Sequence, residues 1–205
     1  MPFDVCGAMS QGYIGYQIQQ ALRHALAKRN MDMPVVTLLT QVVVDGQDPA
    51  FQNPTKPIGA FYTKEEAEQL AAEKGYAMKE DVGRGYRRVV ASPIPKKIVE
   101  IGEVKKLWND TVVVTCGGGI PVVEHEDGSL SGVAAVIDKD FAAELLAEQL
   151  EADALVILTE VEKVCINWAK PNQENISHLT LAEAQRYMEE GHFPPALCCP
   201  RFRLP

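Results

Sequence analysis

The sequence predicts an α/β fold built on a mostly parallel sheet, with a small subdomain inserted between two segments of the core. Short, unbroken apolar runs rich in β-branched residues are typical of strands buried on both faces of a parallel sheet. These runs alternate with helical patterns, as in α/β proteins. Proline and glycine crowd both margins of one segment, which indicates an insertion. The predicted divisions are a first core segment at 1–46, the subdomain at 47–97 and a second core segment at 98–195.

The first elements carry clear periodic signals. Met9 to Arg29 has apolar residues at helical spacing, with Ser10 as its N-cap. Val35 to Val44 is rich in β-branched residues and predicts one buried strand. Within the inserted segment, 64–74 is charged and has the pattern of a helix.

The second half continues the alternation of strands and helices. Thr111 to Thr115 is the central predicted strand, short and apolar, and a second apolar run, Ala154 to Thr159, predicts a third buried strand. Helices are predicted for Phe141 to Leu150 and for Thr180 to Glu190, the latter with Thr180 as its cap.

Composition narrows the class of function. The chain has 205 residues and a net charge of -8, and no basic run offsets this charge, which argues against a nucleic-acid partner. No apolar run has the length of a membrane span, and the first residues lack the pattern of a signal peptide. Five cysteines, an odd number, are typical of buried thiols in a reducing compartment. We therefore expect a cytoplasmic protein without a membrane partner.

Metal binding has little support in the sequence. Cys198 and Cys199 are adjacent, and the nearest candidate ligand, His192, has no companion histidine. A zinc site needs further ligands at suitable spacing. The sequence therefore predicts no metal held by protein ligands.

Three glycines follow the central strand. Gly117, Gly118 and Gly119 let the backbone turn sharply and bring N–H groups close to a ligand, an arrangement suited to phosphate. An ordinary turn from strand to loop has the same composition. Because ligands of parallel sheets bind beyond the carboxyl ends of the strands, 115–119 and 159–163 are expected to face one crevice.

Two carboxylates flank a lysine just before a predicted helix. The apolar run 135–137 is followed directly by Asp138, Lys139 and Asp140. Charged side chains at such a position are candidate catalytic residues. The same residues also suit simple helix capping, in which an aspartate accepts free backbone N–H groups and Lys139 points to water.

Basic residues of the inserted segment are candidates for anion binding. Lys56 lies between two prolines, which restrict the backbone and hold the lysine in a fixed pose; a surface turn is the alternative. Arg84, Arg87 and Arg88 form a basic cluster that is able to meet a phosphate, or a solvated face paired with carboxylates.

Several of these stretches together resemble the carbamate kinases of the amino-acid kinase superfamily. The resemblance covers nearly all of 1–195 and is carried, in this order, by AMSQGYIGYQIQQAL, TQVVVD, NPTKPIG, KEDVGRGYRRVVASP, CGGGIPVV, AVIDKDFAAELLAEQLEADALVILT and GHFPP. It implies a three-layer αβα sandwich with a protruding subdomain, a homodimer, and ATP or ADP with Mg²⁺. The implied reaction is phosphoryl transfer between carbamoyl phosphate and ADP, giving ATP and carbamate in arginine catabolism.

The resemblance also assigns roles to individual residues. Lys139 is expected at the transferred phosphoryl group with Asp140 orienting it, and Lys56 is expected to close over the substrate. The remaining binding residues that the resemblance implies are Gly117, Gly118, Gly119, Asp138, Thr159 and Val161. Positioned lysines suit this reaction, because phosphoryl transfer depends on positive charge around the moving group.

The chain departs from the family pattern at both ends. The family's opening strand with its Gly-Gly-Asn loop, and the following His-Gly-Asn-Gly-Pro loop, have no counterpart, so we expect an N-terminal truncation. After Pro195 the tail 196–205 differs from the family. A back-translation of this tail, read in a frame shifted by one base, gives the family's sequence Gly-Ser-Met-Leu-Pro-Lys-Ile. This predicts a frameshift at or just before Ala196. Two alternatives to an active kinase follow: an inactive fragment, or a non-catalytic partner of a full-length kinase.

Overall fold

The computed structural model describes residues 1–81, 83–115, 117–159, 162–168 and 170–193. The chain divides into two compact units, 1–153 and 154–205. The helices of the first unit are α1 (Phe3–Ala27), α2 (Lys64–Lys74), α3 (Ile101–Leu107) and α4 (Lys139–Gln149). Its strands are β1 (Val35–Thr37), β2 (Gln41–Val44), β3 (Lys56–Tyr62), β4 (Met78–Glu80), β5 (Tyr86–Val90), β6 (Pro95–Ile98), β7 (Val112–Val114), β8 (Ile120–Glu124) and β9 (Leu130–Gly132). The second unit contains β10 (Val164–Ile166), β11 (Glu174–Ile176) and α5 (Leu181–Glu189).

The first unit combines parallel and antiparallel strand pairs. Its largest sheet has the order β6-β2-β8-β9, in which β2 and β8 are parallel. β1 and β7 form a second parallel pair, and β3-β5-β4 form an antiparallel sheet. The predicted α/β class is confirmed. Antiparallel pairs accompany the parallel ones because β6 and β9 run opposite to their neighbours.

The predicted strand Val35 to Val44 is wrong as a single element. It is divided into β1 and β2 by residues 38–40. Backbone bonds continue on both sides, from the N–H of Leu38 to Val114 at 3.0 Å and from that of Ile120 to Thr40 at 2.9 Å, but a side chain takes the N–H of Thr40. The buried Thr40 donates its N–H to the amide oxygen of Gln11 at 2.8 Å, and its carbonyl accepts the amide N–H of Gln11 at 3.0 Å. Because α1 carries Gln11, this helix fixes the break.

The strand opposite this break is interrupted at the same level. Val35 pairs with Val112 and Gln41 pairs with Ile120, so two more residues separate β7 from β8 than separate β1 from β2. The extra residues lie in 115–119, the segment that holds the three glycines. Extra residues in one strand bend the chain away from the ladder, and such irregularities are frequent beside functional sites.

A glycine brings α1 close to β1. Gly15 is the buried residue of α1, and its carbonyl accepts a hydrogen bond from the hydroxyl of Thr37 at 3.1 Å. A Cβ at Gly15 would collide with the side chain of Thr37, whereas a Cβ at Gly12 would meet nothing within 4 Å. The close approach therefore requires glycine at 15 and not at 12.

This difference predicts opposite effects of one substitution in one helix. Gly12→Ala is expected to stabilise the chain by about 0.5–1 kcal/mol, the usual gain in a helix interior. Gly15→Ala is expected to destabilise it by about 1–3 kcal/mol, because the methyl group forces α1 away from β1. Urea unfolding of both variants measures the change, and a gain in stability for Gly15→Ala would contradict the proposed contact.

The core of the first unit lies between the largest sheet and α4. Its buried residues are Val42, Val44, Ile98, Ile137 and Ala142. Ile137 directly precedes the Asp-Lys-Asp stretch, and Ala142 lies in the first turn of α4. The predicted site residues are therefore attached to the rigid core by their neighbours in sequence.

The small antiparallel sheet shows what the predicted arginine cluster contacts. Arg84 and Arg87 each pair with Asp81, at 3.1 and 3.5 Å, and both guanidinium groups lie over the ring of Phe61. Arg88 lies 3.8 Å from the ring centre of Tyr76. These contacts favour the alternative of a paired face. The last residues of the predicted subdomain, 95–97, belong to β6, which pairs with β2 in the largest sheet. The subdomain at 47–97 stays a prediction.

Three smaller expectations change. α1 begins at Phe3, so Ser10 lies inside the helix, where its hydroxyl donates to the carbonyl of Cys6 at 2.9 Å. β7 is half-buried throughout, so it is not a strand fully buried on both faces; among the described residues it pairs with β1. Cys6 is exposed, although the sequence suggested buried thiols.

The second unit contains a hairpin and a capped helix. Thr180 caps α5 as predicted, because its hydroxyl accepts the N–H of Glu183 while the carboxylate of Glu183 accepts the N–H of Thr180. The strand predicted at Ala154–Thr159 is wrong. Residues 154–159 form neither a helix nor a strand, and Leu158 is 91% exposed. An apolar run becomes a strand only where a neighbour supplies hydrogen bonds. The tail 196–205 lies outside the described residues.

No helix within the described ranges combines the length and apolar character that a bilayer crossing requires.

Candidate active site

The structure brings Lys56 to the start of α4. Lys56 is the first residue of β3, and its Nζ lies 3.0 Å from Oδ2 of Asp138, which is 82 positions later in the sequence. The Lys56 side chain is 36% exposed and that of Asp138 is 19% exposed. The ion pair is thus partly shielded from water, while the lysine stays accessible.

Backbone pairing explains why these two distant residues meet. Lys56 pairs with Val90 at the end of β5, and the next residue, Ala91, forms a parallel bridge with Ala135. The N–H of Val136 donates to the carbonyl of Ala91 at 2.9 Å. Backbone hydrogen bonds therefore connect the strand that begins at Lys56 to the residues just before Asp138.

Asp138 also starts the helix that carries the second lysine. Its Oδ1 accepts the N–H of Asp140 at 2.9 Å, which makes it the N-cap of α4. Lys139 is the first residue of α4, and its Nζ lies 3.0 Å from Oδ1 of the half-buried Asp140. The capping role of Asp138 is therefore observed, while Lys139 is 68% exposed and paired with Asp140. The catalytic role of this stretch stays a prediction.

The pKa of Asp138 follows from competing effects. Burial raises it, but hydrogen bonds from Lys56 and from the N–H of Asp140, with the charges of Lys56 and Lys139, lower it more. The net result is a pKa below the ordinary aspartate value. The ion pair therefore contributes stability above the ordinary pKa of aspartate and loses it as pH falls through the lowered value.

The glycine loop packs directly against this stretch. A Cβ at Gly118 would collide with the backbone carbonyl oxygen of Ile137, next to Asp138. Gly117 and Gly119 adopt positive φ angles of 56° and 80°, and Gly119 also packs on Val42. A Cβ at Gly117 would meet nothing within 4 Å. Gly118 is thus required for packing, while Gly117 has free space where a side chain would lie and donates its N–H to the carbonyl of Thr115 at 2.9 Å.

Two further predicted binding residues belong to the second part of the chain. Thr159 is exposed and belongs to the second unit, and Val161 lies outside the described residues. Their predicted roles stay predictions. The structure groups Lys56, Asp138, Lys139, Asp140 and the glycine loop within the first unit.

A carboxylate on α4 offers a test of the electrostatics around this helix. Burial and the charge of Glu148 raise the pKa of Glu144. The ionised Glu144 therefore costs stability at neutral pH, and this cost disappears as pH falls through the range in which the glutamate becomes protonated. Glu144→Gln is expected to stabilise the chain by less than about 1 kcal/mol at pH 7, with no gain near pH 3. Urea unfolding at both pH values checks this, and an equal gain at both would contradict it. In a Glu148→Gln background the gain should be smaller.

Comparison with known proteins identifies the family. The sequence profile of the amino acid kinase family matches residues 66–194. The chain belongs to this family. Among its members, the carbamate kinase of Clostridium perfringens is 58% identical over 202 residues, covering 98% of this chain and 64% of that protein. The carbamate kinase of Pyrococcus furiosus is 53% identical and covers 94% of this chain and 62% of its own length.

Solved structures of the family have the same fold. A carbamate kinase from Giardia lamblia bound to AMP-PNP matches 99% of this chain and 65% of its own chain, with a TM-score of 0.89 and 47% identity. A crystal structure from Aeropyrum pernix K1 matches with a TM-score of 0.92 and 40% identity. The predicted family and fold class are confirmed. The chain spans slightly less than two thirds of the length of these relatives.

Sequence reasoning missed the ion pair between Lys56 and Asp138. The resemblance assigned Lys56 and Lys139 to one substrate site, but it gave Asp138 no partner. No local pattern joins residues 82 positions apart; the approach of Lys56 depends on strand register, which a single sequence does not specify.

Proposed function

We propose that this chain is a carbamate kinase that transfers a phosphoryl group between carbamoyl phosphate and ADP, giving ATP and carbamate in arginine catabolism. The observation that carries the proposal is that Lys56 is brought to Asp138, the residue directly before Lys139. Lys56 of β3 is ion-paired with Asp138, and Lys139 is the next residue. Close relatives, which are carbamate kinases, support the choice of substrate.

The chemistry asks for positive charge at a fixed place. The bond between phosphorus and the carbamate oxygen breaks, and a bond forms between phosphorus and a terminal β-phosphate oxygen of ADP. Negative charge spreads over the oxygens of the moving group, and ammonium groups that are already positioned stabilise it. We assign Lys139 to the transferred phosphoryl group, with Asp140 orienting it, and Lys56 to the other side of the substrate.

Nucleotide binding belongs to the same proposal. One structural relative was solved with AMP-PNP, which supports a nucleotide as substrate. Asp138 and Asp140 already hold lysines, and the described residues contain no cluster of three or more His, Cys, Asp or Glu side chains able to hold a metal. We propose Mg²⁺ as an ion carried by the phosphates of the nucleotide, which is how this ion commonly binds in kinases.

We also propose that α1 forms the interface of a homodimer. Apolar side chains at helical spacing are exposed along one face of this helix, namely Val5, Met9, Tyr13 and Tyr16. A second copy would cover the same face on both partners, since a two-fold interface is self-complementary. Light scattering after gel filtration measures the mass, which should be twice that of one chain for a homodimer.

A second candidate function is a non-catalytic partner of a full-length carbamate kinase, which this exposed face of α1 also suits. The same mass measurement after mixing the two proteins tests it.

An assay of ATP formation tests the proposed reaction. Carbamoyl phosphate and ADP are mixed with the chain, and ATP is followed through hexokinase and glucose-6-phosphate dehydrogenase. Turnover that requires both substrates supports the proposal. No turnover at substrate concentrations that saturate a full-length carbamate kinase would reject it. The cytoplasmic location stays a prediction.

A further inference from the structure

We propose that Asp138 is a positioning residue, which holds Lys56 beside Lys139 so that both ammonium groups face one phosphoryl group. This inference rests on the proposed function. It assigns to Asp138 a role through the lysine and not through the substrate. A carboxylate placed directly against a phosphoryl group would repel it, so a contact with Lys56 suits its charge better.

The two oxygens of Asp138 serve different elements. Oδ1 accepts the N–H of Asp140 at 2.9 Å and fixes the start of α4, whose first residue is Lys139. Oδ2 accepts a hydrogen bond from Nζ of Lys56 at 3.0 Å. One side chain thus ties the first strand of the small sheet to the helix that carries the other lysine. Both lysines are therefore connected to this carboxylate, Lys56 through its ammonium group and Lys139 through the start of its helix.

The ion pair leaves Lys56 able to bind substrate. An ammonium group has three N–H donors, and Asp138 takes one of them. The 36% exposure of the lysine leaves room for a phosphate oxygen at the others. Lys56 and Lys139 each have a carboxylate partner, at 3.0 Å in both cases, so the four charges balance before substrate binds. This balance lowers the cost of placing two positive charges at one site.

Two variants distinguish a positioning role of Asp138 from a purely structural role, because only the positioning role predicts a loss of turnover when the helix cap is kept. Asp138→Ser keeps a good N-cap but is too short to reach Lys56, whereas Asp138→Ala loses both contacts. We expect both variants to lower kcat by about 10–10²-fold, the cost of a misplaced group. The free energy of unfolding of Asp138→Ala should in addition be lower than that of Asp138→Ser, because alanine does not cap the helix. Turnover of Asp138→Ser equal to that of the unaltered chain would overturn the positioning role.

A double-mutant cycle shows whether Asp138 acts through Lys56. In the Lys56→Met background, Asp138→Ser is expected to change kcat less than about 2-fold, because the partner is already absent. The same loss in both backgrounds would overturn the inference while the proposed function stands.

A titration tests the pair without turnover. The carboxyl carbon of Asp138 is followed by ¹³C NMR in the unaltered chain and in Lys56→Met. The pKa of Asp138 should rise in the variant, since the hydrogen bond and charge of Lys56 lower it. Absence of turnover in the unaltered chain would reject the proposed function, and this titration then decides on the pair: an unchanged pKa overturns it, and a rise supports it.

Discussion

Replacing Lys139 with methionine is expected to reduce kcat for ATP formation from carbamoyl phosphate and ADP by about 10²–10³-fold, the usual cost of removing one donor that stabilises the transition state. The fold should be unaffected, because the side chain is 68% exposed and projects from the first position of α4, where it fills no core space. KM should change less than kcat if the ammonium acts chiefly on the moving phosphoryl group.

A matched control separates this role from general loss of surface charge. Lys106 of α3 is also exposed and forms an ion pair with a neighbouring glutamate, Glu103, at 3.6 Å. Lys106→Met is expected to leave kcat unchanged. Steady-state kinetics of both variants, with circular dichroism to confirm folding, give the comparison. A kcat for Lys139→Met within about 2-fold of that of the unaltered chain would remove Lys139 from the proposed mechanism.

Gly118→Ala is expected to destabilise the first unit by about 2–3 kcal/mol, a cost typical of an extra methyl group in a tightly packed place. The added Cβ would collide with the carbonyl oxygen of Ile137, and backbone is unable to rotate away as a side chain does. Relief requires the loop or the segment before Asp138 to move. Because Asp138 holds Lys56 and caps α4, turnover should fall together with stability.

Gly117→Ala is the matched control within the same loop. Its Cβ would meet nothing within 4 Å, so the cost is limited to a φ of +56°, about 1–2 kcal/mol for a residue with a side chain. Urea unfolding of both variants should place Gly118→Ala below Gly117→Ala. The reverse order, or equal costs, would show that the loop does not pack on Ile137 as described.

Local signals were sufficient for several elements of this chain. α2 coincides with the predicted helix at 64–74, and α5 begins directly after its predicted cap, Thr180. Capping and helical periodicity act within a few residues, so a single sequence contains them. The resemblance to carbamate kinases likewise depended on short motifs, and the family match confirms it.

The incorrect predictions concern contacts between distant residues. Val35 to Val44 has strand propensity throughout, yet Gln11 of α1 interrupts it at Thr40. Ala154 to Thr159 has the same propensity, yet without a ladder partner among the described residues it forms no strand. Strand formation depends on neighbours as well as on propensity.

By itself, the sequence determined the family, the α/β class and the lysines to be tested, because motifs and periodicity are local properties. Tertiary structure alone decided which of these residues meet. Register between β3 and β5, and the bridge from Ala91 to Ala135, bring Lys56 to Asp138. The two extra residues between β7 and β8 accompany the glycine loop that packs on Ile137. These contacts depend on hydrogen bonds between segments far apart in the chain, and residue types alone do not specify such pairing.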